Sequence, residues 1–461
     1  MTDTDEASVL RSAFAEPSLD LARSRRAVVL AAGSSQRMRA LTAGGSKAHL
    51  RLGGVSLIER AVVRLLGAGI SDVIVVVGAR SASVERSVAR IARLGVRTVF
   101  ADRWMEGNGA SLAAVERELV DDPLFVVMVA DHVFSDGATD RLIAASRPSV
   151  LVDEYPEPAI WSEGTRVRIR DGYVVEFSKE LDEPAVDCGA FVLSPAIFEA
   201  QRRAAAKGDA SLSGALSRMA ALHPIAAVPL PPDAWWHDLD TPKDVRAARR
   251  SLRRSLGKPS DGLVARFVNR PISTRISIAI SRLRPSPGAV SVVALLVCAI
   301  GSALLALGKG IAGGVLVQFG SVVDGVDGEV ARLQDRTSAM GALMDGVLDR
   351  IGDAMVVAGL AIWAVHDGMI GDAWVILLAV AAVTGSMLSM ATKDRVRALG
   401  MRDGREDRIR LLLGGRDARL LLVAIAAIAG RPVWGLIAIV ATTAVTLVAR
   451  LVSVARSADP T

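Results

Sequence analysis

Long apolar runs recur between residues 288 and 454, and this feature limits most strongly what the chain can fold into. About twenty apolar residues are the length that an α-helix needs to cross the hydrocarbon core of a bilayer. The sequence therefore predicts an all-α, polytopic membrane domain over residues 286–461. About six spans are expected by this criterion, at 288–307, 311–332, 339–365, 372–392, 418–430 with its flanks, and 432–454.

The remaining residues predict a soluble half. Mean hydropathy is +0.37 although 23% of the 461 residues are charged, so polar and apolar residues must be segregated along the chain. We expect an N-terminal extension over 1–25, a soluble domain over 26–245 and a basic linker with an interfacial helix over 246–285. The two cysteines, Cys188 and Cys298, give no disulfide framework, which suits a reducing compartment.

The soluble half alternates buried strands with helices. "RAVVLAAG" reads as a strand, "VSLIERAVVRLLGAG" as an amphipathic helix and "DVIVVVG" as the next strand. This order predicts a Rossmann-like α/β fold with a mostly parallel sheet, in which ligands bind at the carboxyl ends of the strands. Small residues after the first strand, with Arg37 and Lys47 nearby, suit phosphate binding, although an ordinary strand-to-helix turn would look similar.

Carboxylates follow later strands of the same half. Asp131 ends the apolar run "VMVAD", and "WWHDLDTPKDV" supplies Asp238 and Asp240 more than a hundred residues later. Carboxylate oxygens are suitable ligands for a magnesium ion on a nucleotide phosphate. Helix capping is the alternative role for Asp240, and the sequence does not choose between Asp238 and Asp240 as the metal ligand.

Together these motifs resemble the sugar-phosphate nucleotidyltransferases. "LAAGSSQRM" with Lys47, "EGNGASL", "ADH", "DCGAFVL" and "HDLDTPKD" match the family's successive motifs, although Ser46 stands where a proline usually precedes the lysine. The resemblance implies nucleotidyl transfer to an alcohol phosphate. It implies nucleotide contacts by Ala31, Gly33, Ser34, Arg37 and Gly107, phosphate contact by Lys47, metal binding by Asp131 and Asp238, and acceptor contacts by Lys179 and Asp187.

Charge placement predicts the orientation in the membrane. The loop after the fourth predicted span is rich in Lys and Arg, whereas "VHDGMIGD" has neither, as expected if the former is cytoplasmic. We therefore expect a multi-pass inner-membrane protein whose N-terminal domain and both active sites face the cytoplasm. "GLVARFVNRPISTRISIAISRL" suits an interfacial helix, with an ordinary linker helix as the alternative, and the preceding basic stretch 246–258 suits anionic lipid.

Four regularly spaced aspartates lie in the predicted second and third spans. Asp324 and Asp327 are three residues apart, and Asp345 and Asp349 are four apart, so each pair shares one helical face. A bare carboxylate is costly inside a bilayer, whereas carboxylates in a polar cavity can bind divalent metal. The sequence therefore predicts a metal site toward the cytoplasmic ends of these helices.

The same stretch resembles the signature of the CDP-alcohol phosphotransferases, D-x-x-D-G-x-x-A-R, eight residues, then G-x-x-x-D-x-x-x-D. The resemblance implies two metals, with Asp349 also accepting the proton of the attacking hydroxyl. Gly341 fills the remaining glycine position of the signature, which we take as a substrate contact. The same resemblance implies metal binding by Asp324, Asp327, Asp345 and Asp349, and contact with the cytidine diphosphate by Gly328, Ala331 and Arg332.

The fusion implies that CTP is the nucleotide and that a CDP-alcohol passes from the first reaction to the second. Its domain order resembles bifunctional enzymes that use inositol 1-phosphate both as the alcohol phosphate and as the acceptor. Mg²⁺ is the expected cofactor, with Mn²⁺ as an alternative, and no nucleic-acid-binding module is found. Candidates for holding the acceptor's phosphate are Arg270, Arg395, Arg397, Arg416 and Arg419.

Two other functions compete with this interpretation. A lipid-synthesising enzyme would share the catalytic residues and differ only in its acceptor, a membrane lipid alcohol. A non-catalytic nucleotide-sensing scaffold would not need the aspartates. Small residues in "GSALLALGKGIAGG" permit helix pairing, so a homodimer through the membrane domain is a further expectation.

Overall fold

A computed structural model of the chain describes residues 26–33, 38, 42, 45–78, 81–89, 91, 95–257, 261–398 and 415–458. The chain divides into two compact units, Met1–Leu252 and Arg253–Thr461.

A nine-stranded mixed sheet organises the first unit, in the order β5-β4-β1-β6-β11-β8-β12-β10-β9. Two small antiparallel pairs, β2 with β3 and β7 with β13, stand beside it. The strands are β1 Arg26–Leu30, β2 Arg51–Leu52, β3 Val55–Ser56, β4 Asp72–Val77, β5 Val96–Phe100, β6 Phe125–Val129, β7 His132–Phe134, β8 Ser149–Asp153, β9 Arg166–Arg170, β10 Tyr173–Ser178, β11 Val186–Leu193, β12 Ile225–Pro229 and β13 Trp236–Asp238.

The expectation of a mostly parallel sheet is wrong for half of the sheet. Strands β5, β4, β1 and β6 pair in parallel, but β11 pairs antiparallel with both β6 and β8. Apolar runs such as "VDCGAFVL" predict a buried strand without fixing its direction, which depends on the connection that precedes it.

Both faces of the sheet are covered. Val29 belongs to one hydrophobic cluster and Val28 to another, because successive side chains of a strand point to opposite faces. The helices of this unit are α1 Leu57–Gly67, α2 Ser81–Ala89, α3 Asn108–Ala113, α4 Glu116–Leu119, α5 Asp140–Ile143, α6 Pro158–Glu163, α7 Ala196–Ala205, α8 Leu212–Ala220 and α9 Pro242–Arg254, the last of which ends in the second unit.

All elements of secondary structure in the described residues of the second unit are helices. A π-helical turn, Ala265–Asn269, leads into α10. The helices are α10 Arg270–Ile280, α11 Pro287–Ala306, α12 Gly310–Leu333, α13 Ala339–Asp367, α14 Asp372–Ala398, α15 Arg416–Ile428 and α16 Pro432–Ala458.

Three of the described helices are long and apolar enough to cross a membrane by length and composition. They are Pro287–Ala306, Asp372–Val396 and Pro432–Ala455. The other three predicted spans coincide with α12, α13 and α15. Helices α12 and α13 carry the aspartates, and α15 has only 13 residues.

Helix α10, the predicted interfacial helix, is joined to α12 through one buried carboxylate. The Glu329 side chain is fully buried and accepts hydrogen bonds from Arg270 Nη1 at 2.7 Å, Ser273 Oγ at 2.7 Å and Ser277 Oγ at 2.6 Å. Arg270 also pairs with Asp261, at 2.8 Å between Nε and Oδ2. We call these five residues the Glu329 clamp.

Two candidate active sites

Lys47 lies at the carboxyl end of the parallel strands in the first unit, which we call the soluble unit after the domain predicted there. A short 3₁₀ turn, Lys47–His49, carries it, and the Ser46 side chain caps that turn. Lys47 Nζ lies 2.7 Å from Asp131 Oδ2 and also donates to Asp240. Burial alone would lower the pKa of Lys47, but the two carboxylates raise it above its ordinary value. Lys47 is therefore a fixed positive charge between two aspartates.

Asp131 meets His132 and Asp238 at the same place. Strand β7 pairs with β13 so that His132 is directly opposite Asp238. Side-chain ligand atoms of the three residues lie within 4.8 Å of one another. His132 Nε2 is 3.6 Å from Asp238 Oδ2, while Nδ1 is 2.7 Å from the carbonyl oxygen of Cys188. We call Asp131, His132 and Asp238 the soluble cluster.

Charge and burial shift the proton affinities of this cluster in opposite directions. Burial would raise the pKa of Asp131, but Lys47 and His132 hold it below its ordinary value. Burial would lower the pKa of His132, but Asp238 and Asp131 outweigh burial and raise it to about 10. Nearby, burial raises the pKa of Asp187 to about 6.

The soluble cluster fits a divalent cation. Within the part of the chain that the structure describes, Asp131 Oδ1 and Asp238 Oδ1 are buried and accept no hydrogen bond. A buried carboxylate oxygen without a partner is unfavourable, and a divalent cation would satisfy both atoms. Asp240 also pairs with Lys47 but is not a member of the soluble cluster among the described residues. The geometry therefore favours Asp238 over Asp240 as the second carboxylate of the site.

The other predicted residues of the soluble unit occupy several positions. Ala31 is buried directly after β1, and its N–H donates to Val76. Gly107 has a φ of +137°, and a Cβ there would lie 2.9 Å from the Ala210 carbonyl oxygen, so the α3 N-terminus requires glycine. Gly33 and Lys179 are exposed. Asp187 Oδ1 accepts a hydrogen bond from the Gly189 N–H at 2.9 Å. Ser34 and Arg37 lie outside the described residues.

A second carboxylate cluster lies between α12 and α13. Ligand oxygens of Asp324, Asp345 and Asp349 lie within 4.8 Å of one another, and we call these residues the membrane cluster. Arg416, the first residue of α15, lies 2.9 Å from Asp324 and 2.6 Å from Asp349. Aspartates at helical spacing on two packed helices thus converge on one point, and three oxygen donors suit Mg²⁺ or Mn²⁺.

Asp327 is bound differently from the other three aspartates. Among the described residues it is not a member of the membrane cluster, and its Oδ2 accepts a 2.5 Å hydrogen bond from Ser291 of α11. Its Oδ1 also accepts from the Gly328 N–H. The remaining signature positions are Ala331, which is buried, Arg332, whose Nη2 donates to the Leu256 carbonyl oxygen at 2.6 Å, and Gly341, which is exposed in the first turn of α13.

Comparison with protein families assigns one family to each unit. Residues 27–222 match the MobA-like NTP transferase domain, and residues 286–448 match the CDP-alcohol phosphatidyltransferase family. Each match contains one of the two carboxylate clusters, except that Asp238 of the soluble cluster follows the end of the first match.

Relatives match both units together. A bifunctional IPC transferase and DIPP synthase from Rubrobacter xylanophilus is 34% identical over 88% of this chain and 91% of that protein. The chain belongs to this bifunctional family. A relative of the same name from Thermococcus kodakarensis is 32% identical over 86% of this chain and 89% of its own length. The inositol-1-phosphate CTP transferase structure from T. maritima is 20% identical, covers 48% of this chain and 91% of that one, and has a TM-score of 0.44.

Family membership gives the reaction class. The chain is a bifunctional transferase that forms a CDP-alcohol from CTP and an alcohol phosphate and then transfers the phospho-alcohol to a hydroxyl acceptor with release of CMP. Its first unit has the nucleotidyltransferase fold, and its second is a helical membrane domain of the CDP-alcohol phosphotransferase type.

The structure places one residue beside the membrane cluster that the sequence reasoning missed, Asp353. Asp353 lies one turn after Asp349 and accepts hydrogen bonds from Arg416 Nε at 2.8 Å and from Ser386 Oγ at 2.7 Å. Arg419 lies 3.7 Å from the same carboxylate. The spacing of Asp353 continues the i, i+4 row of Asp345 and Asp349, and this was the signal available in the sequence.

The candidate acceptor arginines separate into two groups. Arg416 and Arg419 lie beside the aspartates, whereas Arg270 is held by Asp261 and Glu329 in the Glu329 clamp. Arg270 therefore joins α10 to α12, because its partners are Asp261 and the fully buried Glu329 rather than the aspartates of the membrane cluster. Arg395 is exposed near the end of α14, and the side chain of Arg397 lies outside the described residues.

Proposed function

We propose that the alcohol phosphate is inositol 1-phosphate and that a second inositol 1-phosphate is the acceptor. The observation that carries this proposal is the match along nearly the whole chain to IPC transferases and DIPP synthases. The domain order, which resembles bifunctional enzymes that use inositol 1-phosphate twice, supplies the identity of the alcohol. CDP-inositol would be the intermediate, and a soluble bis-inositol phosphodiester that retains the acceptor's terminal phosphate would be the product.

The soluble cluster performs the first reaction in this proposal. An oxygen of inositol 1-phosphate attacks the α-phosphorus of CTP, the bond to the β-phosphate breaks, and pyrophosphate leaves. Lys47 and Arg37 neutralise the phosphates, and Asp131 and Asp238 hold a divalent cation. A bound cation supplies charge neutralisation on the triphosphate, so positioning and electrostatics account for most of the catalysis.

Substrate contacts in this unit follow from the family resemblance. Lys179 binds the phosphate of inositol 1-phosphate and Asp187 binds its hydroxyls. The exposed Lys179 and the part-buried Asp187 interact electrostatically, which supports a shared substrate. The nucleotide contacts proposed are Ala31, Gly33, Ser34 and Gly107.

The membrane cluster performs the second reaction. A hydroxyl of the acceptor attacks the β-phosphorus of CDP-inositol, and CMP leaves with the electrons of the broken P–O bond. Asp349 takes the hydroxyl proton. The nearby Arg416 supports this role because it stabilises the ionised carboxylate of Asp349, the form that can accept a proton. Metal binding is assigned to Asp324, Asp327, Asp345 and Asp349. Contact with the cytidine diphosphate is assigned to Gly328, Ala331 and Arg332, and substrate contact to Gly341.

We also propose that Arg416 and Arg419 bind the phosphate of the acceptor. Both face carboxylates, and Arg416 has carboxylates on both edges of its guanidinium group. An arriving phosphate could exchange for one of these partners and form a bidentate contact.

The membrane arrangement completes the proposal. Helices α11 to α16 would form six spans, with the soluble unit and the membrane cluster on the cytoplasmic side. Because a charge that faces lipid is costly, the acidic residues of α12 and α13 support an arrangement in which the other helices enclose these two. A homodimer through the membrane unit is the proposed assembly.

The test uses the full-length chain in detergent with Mg²⁺, CTP labelled at the α-phosphate and inositol 1-phosphate labelled in the ring. Label from both substrates should appear first in CDP-inositol. Ring label should then accumulate in an aqueous phosphodiester while the nucleotide label passes to CMP. Ring label in the organic phase would instead indicate a lipid acceptor, and absence of CDP-inositol with other alcohol phosphates active would reject inositol.

A further inference from the structure

His132 is the one member of the soluble cluster without a proposed role. Its ring lies opposite Asp238 across the β7–β13 pair and directly after Asp131 in the chain. The neighbouring Trp236 ring lies 5.3 Å away between centroids, which limits movement of the imidazole. The backbone therefore places an imidazole between the two carboxylates that we assign to metal binding.

Backbone geometry fixes which ring nitrogen faces the carboxylates. A carbonyl oxygen can only accept a hydrogen bond, so the 2.7 Å contact with the Cys188 carbonyl requires a proton on Nδ1. This leaves Nε2, which is 3.6 Å from Asp238 Oδ2, as the nitrogen with a lone pair in the neutral ring. Histidines that bind metals are commonly oriented by such a contact to a backbone carbonyl.

An irregularity in β11 brings its backbone close to the His132 ring. The register of β11 against β8 shifts between Asp187 and Phe191, and Asp187 Oδ1 accepts from the Gly189 N–H. Gly189 has a φ of +72°, and a Cβ there would lie 2.2 Å from His132 Nδ1. The close approach of backbone and imidazole thus depends on glycine at this position.

We propose that His132 Nε2 is a third metal ligand, beside Asp131 and Asp238, so that the soluble cluster is a mixed imidazole–carboxylate site. The proposal rests on the metal role assigned to the two aspartates in the first reaction. Their buried, unpartnered Oδ1 atoms support a cation more than a simple His–Asp ion pair, since such a pair leaves both atoms unsatisfied in the described residues. Ligation requires the neutral ring, so binding of the ion displaces the Nε2 proton.

The consequence is a difference in metal preference between the two active sites. Imidazole nitrogen favours Mn²⁺, Co²⁺ or Zn²⁺ over Mg²⁺, whereas an all-carboxylate site suits Mg²⁺. The membrane cluster offers only oxygen ligands, from Asp324, Asp345 and Asp349. The soluble site should therefore favour Mn²⁺ over Mg²⁺ more strongly than the membrane site does.

The direct test is electron spin-echo spectroscopy of Mn²⁺ bound to the full-length chain in detergent. The sample contains pyrophosphate as a nitrogen-free phosphate ligand, a nitrogen-free buffer and no affinity tag. The chain has five histidines, and direct Mn²⁺–imidazole bonding gives a ¹⁴N coupling. Wild type should show this coupling and His132→Asn should not. Asn can still donate to the Cys188 carbonyl but does not reach the Nε2 position.

His237→Asn is the matched control. His237 is adjacent to Asp238 in β13, but its Nε2 lies 2.9 Å from Ser251 Oγ, away from the cluster. This variant should keep the ¹⁴N coupling. His132→Asn should also weaken Mn²⁺ binding at the soluble site about 10-fold to 100-fold. His132→Gln, which offers an amide oxygen, should lower the preference for Mn²⁺ over Mg²⁺ about 10-fold.

The outcomes separate this proposal from the one on which it rests. A coupling that is absent in wild type, or that persists in His132→Asn, overturns ligation by His132 and leaves the carboxylate site intact. If Asp131→Asn leaves the number of bound Mn²⁺ ions unchanged, the carboxylate site itself is wrong and the histidine proposal fails with it.

Discussion

The two carboxylate clusters differ in how the fold assembles them. The membrane cluster comes from two consecutive helices, and Asp345 and Asp349 are one helical turn apart. The soluble cluster joins Asp131 to Asp238, more than a hundred residues later, through the pairing of β7 with β13. Helical periodicity therefore displays a site directly in the sequence, whereas a site built on strand ends depends on the topology of the sheet.

A fixed cation also lies beside each cluster. Lys47 pairs with Asp131 in one, and Arg416 bridges Asp324 and Asp349 in the other. A lysine gives a single charge on a flexible stem, whereas the planar guanidinium of arginine can hold several carboxylates at once. The predictions below test whether the two sites are chemically separate and how strongly each depends on its own supporting residues.

The largest expected effect is a reciprocal loss of the two activities. Asp131→Ala should reduce CDP-alcohol formation about 10²-fold or more, because a metal ligand is removed, and spare transfer from supplied CDP-alcohol. Asp349→Asn should reduce transfer about 10²- to 10⁴-fold, because the proton acceptor is lost, and spare the first step. Separate assays of each step measure both. Asp136→Ala and Asp335→Asn are the controls, and loss of both steps by either active-site variant in folded protein would refute the two-site division.

Lys47→Ala should slow CDP-alcohol formation about 10²-fold without changing transfer. The loss follows from removing a positioned charge next to the triphosphate. The measurement is kcat for the first step at saturating CTP. The exposed Lys207→Ala is the matched control. An unchanged kcat in Lys47→Ala would rule out the phosphate role.

A smaller effect is expected from Ser291→Ala, because Ser291 orients Asp327 through its 2.5 Å hydrogen bond. The Mg²⁺ concentration for half-maximal transfer should rise about 10-fold, while the first step keeps its own metal requirement. Ser302→Ala is the control on the same helix, since its Oγ donates to the Cys298 carbonyl oxygen at 2.8 Å. Equal metal requirements in the two variants would argue against a metal role for Asp327.

The smallest effect concerns stability and pH. The folded-state pKa of Asp187 is about 6, above its ordinary 3.8, because the carboxyl is buried. The wild type therefore loses stability as pH rises through this interval, since the unfolded state releases the proton first. Asp187→Asn should stabilise the soluble unit by about 3 kcal/mol at pH 8 and by less than about 1 kcal/mol at pH 4. Melting curves at both pH values measure this, and a pH-independent difference would contradict the burial of the charge.

Much of the fold followed from patterns in the sequence. The strand–helix alternation near residue 30 and the apolar runs after residue 286 predicted the α/β unit and the helical unit, and the family matches confirm this order. Helical spacing brought Asp324, Asp345 and Asp349 together as expected. The antiparallel pairing of β11 with β6 and β8 was missed because burial of β11 is compatible with either strand direction.

Parts of the site depend on contacts that local patterns do not contain. His132 was overlooked because a histidine after a strand has no distinctive spacing, and its proximity to Asp238 arises from β7–β13 pairing. Arg270 was one of several candidates for phosphate binding on charge alone, and the structure pairs it with Glu329 and Asp261. The contacts of Arg270 depend on the buried Glu329, which lies more than fifty residues away in the sequence.

The Glu329 clamp determines where this protein can be cut for separate study of its second unit. A fragment that begins at Pro287, where the first apolar helix starts, would lack Arg270, Ser273 and Ser277 and leave Glu329 buried without its donors. Removing one partner of a buried charge pair costs about 3–5 kcal/mol. A fragment that begins at Asp261 retains the whole Glu329 clamp. Helix α10, which precedes the first apolar helix, therefore belongs to the smallest fragment that we expect to fold.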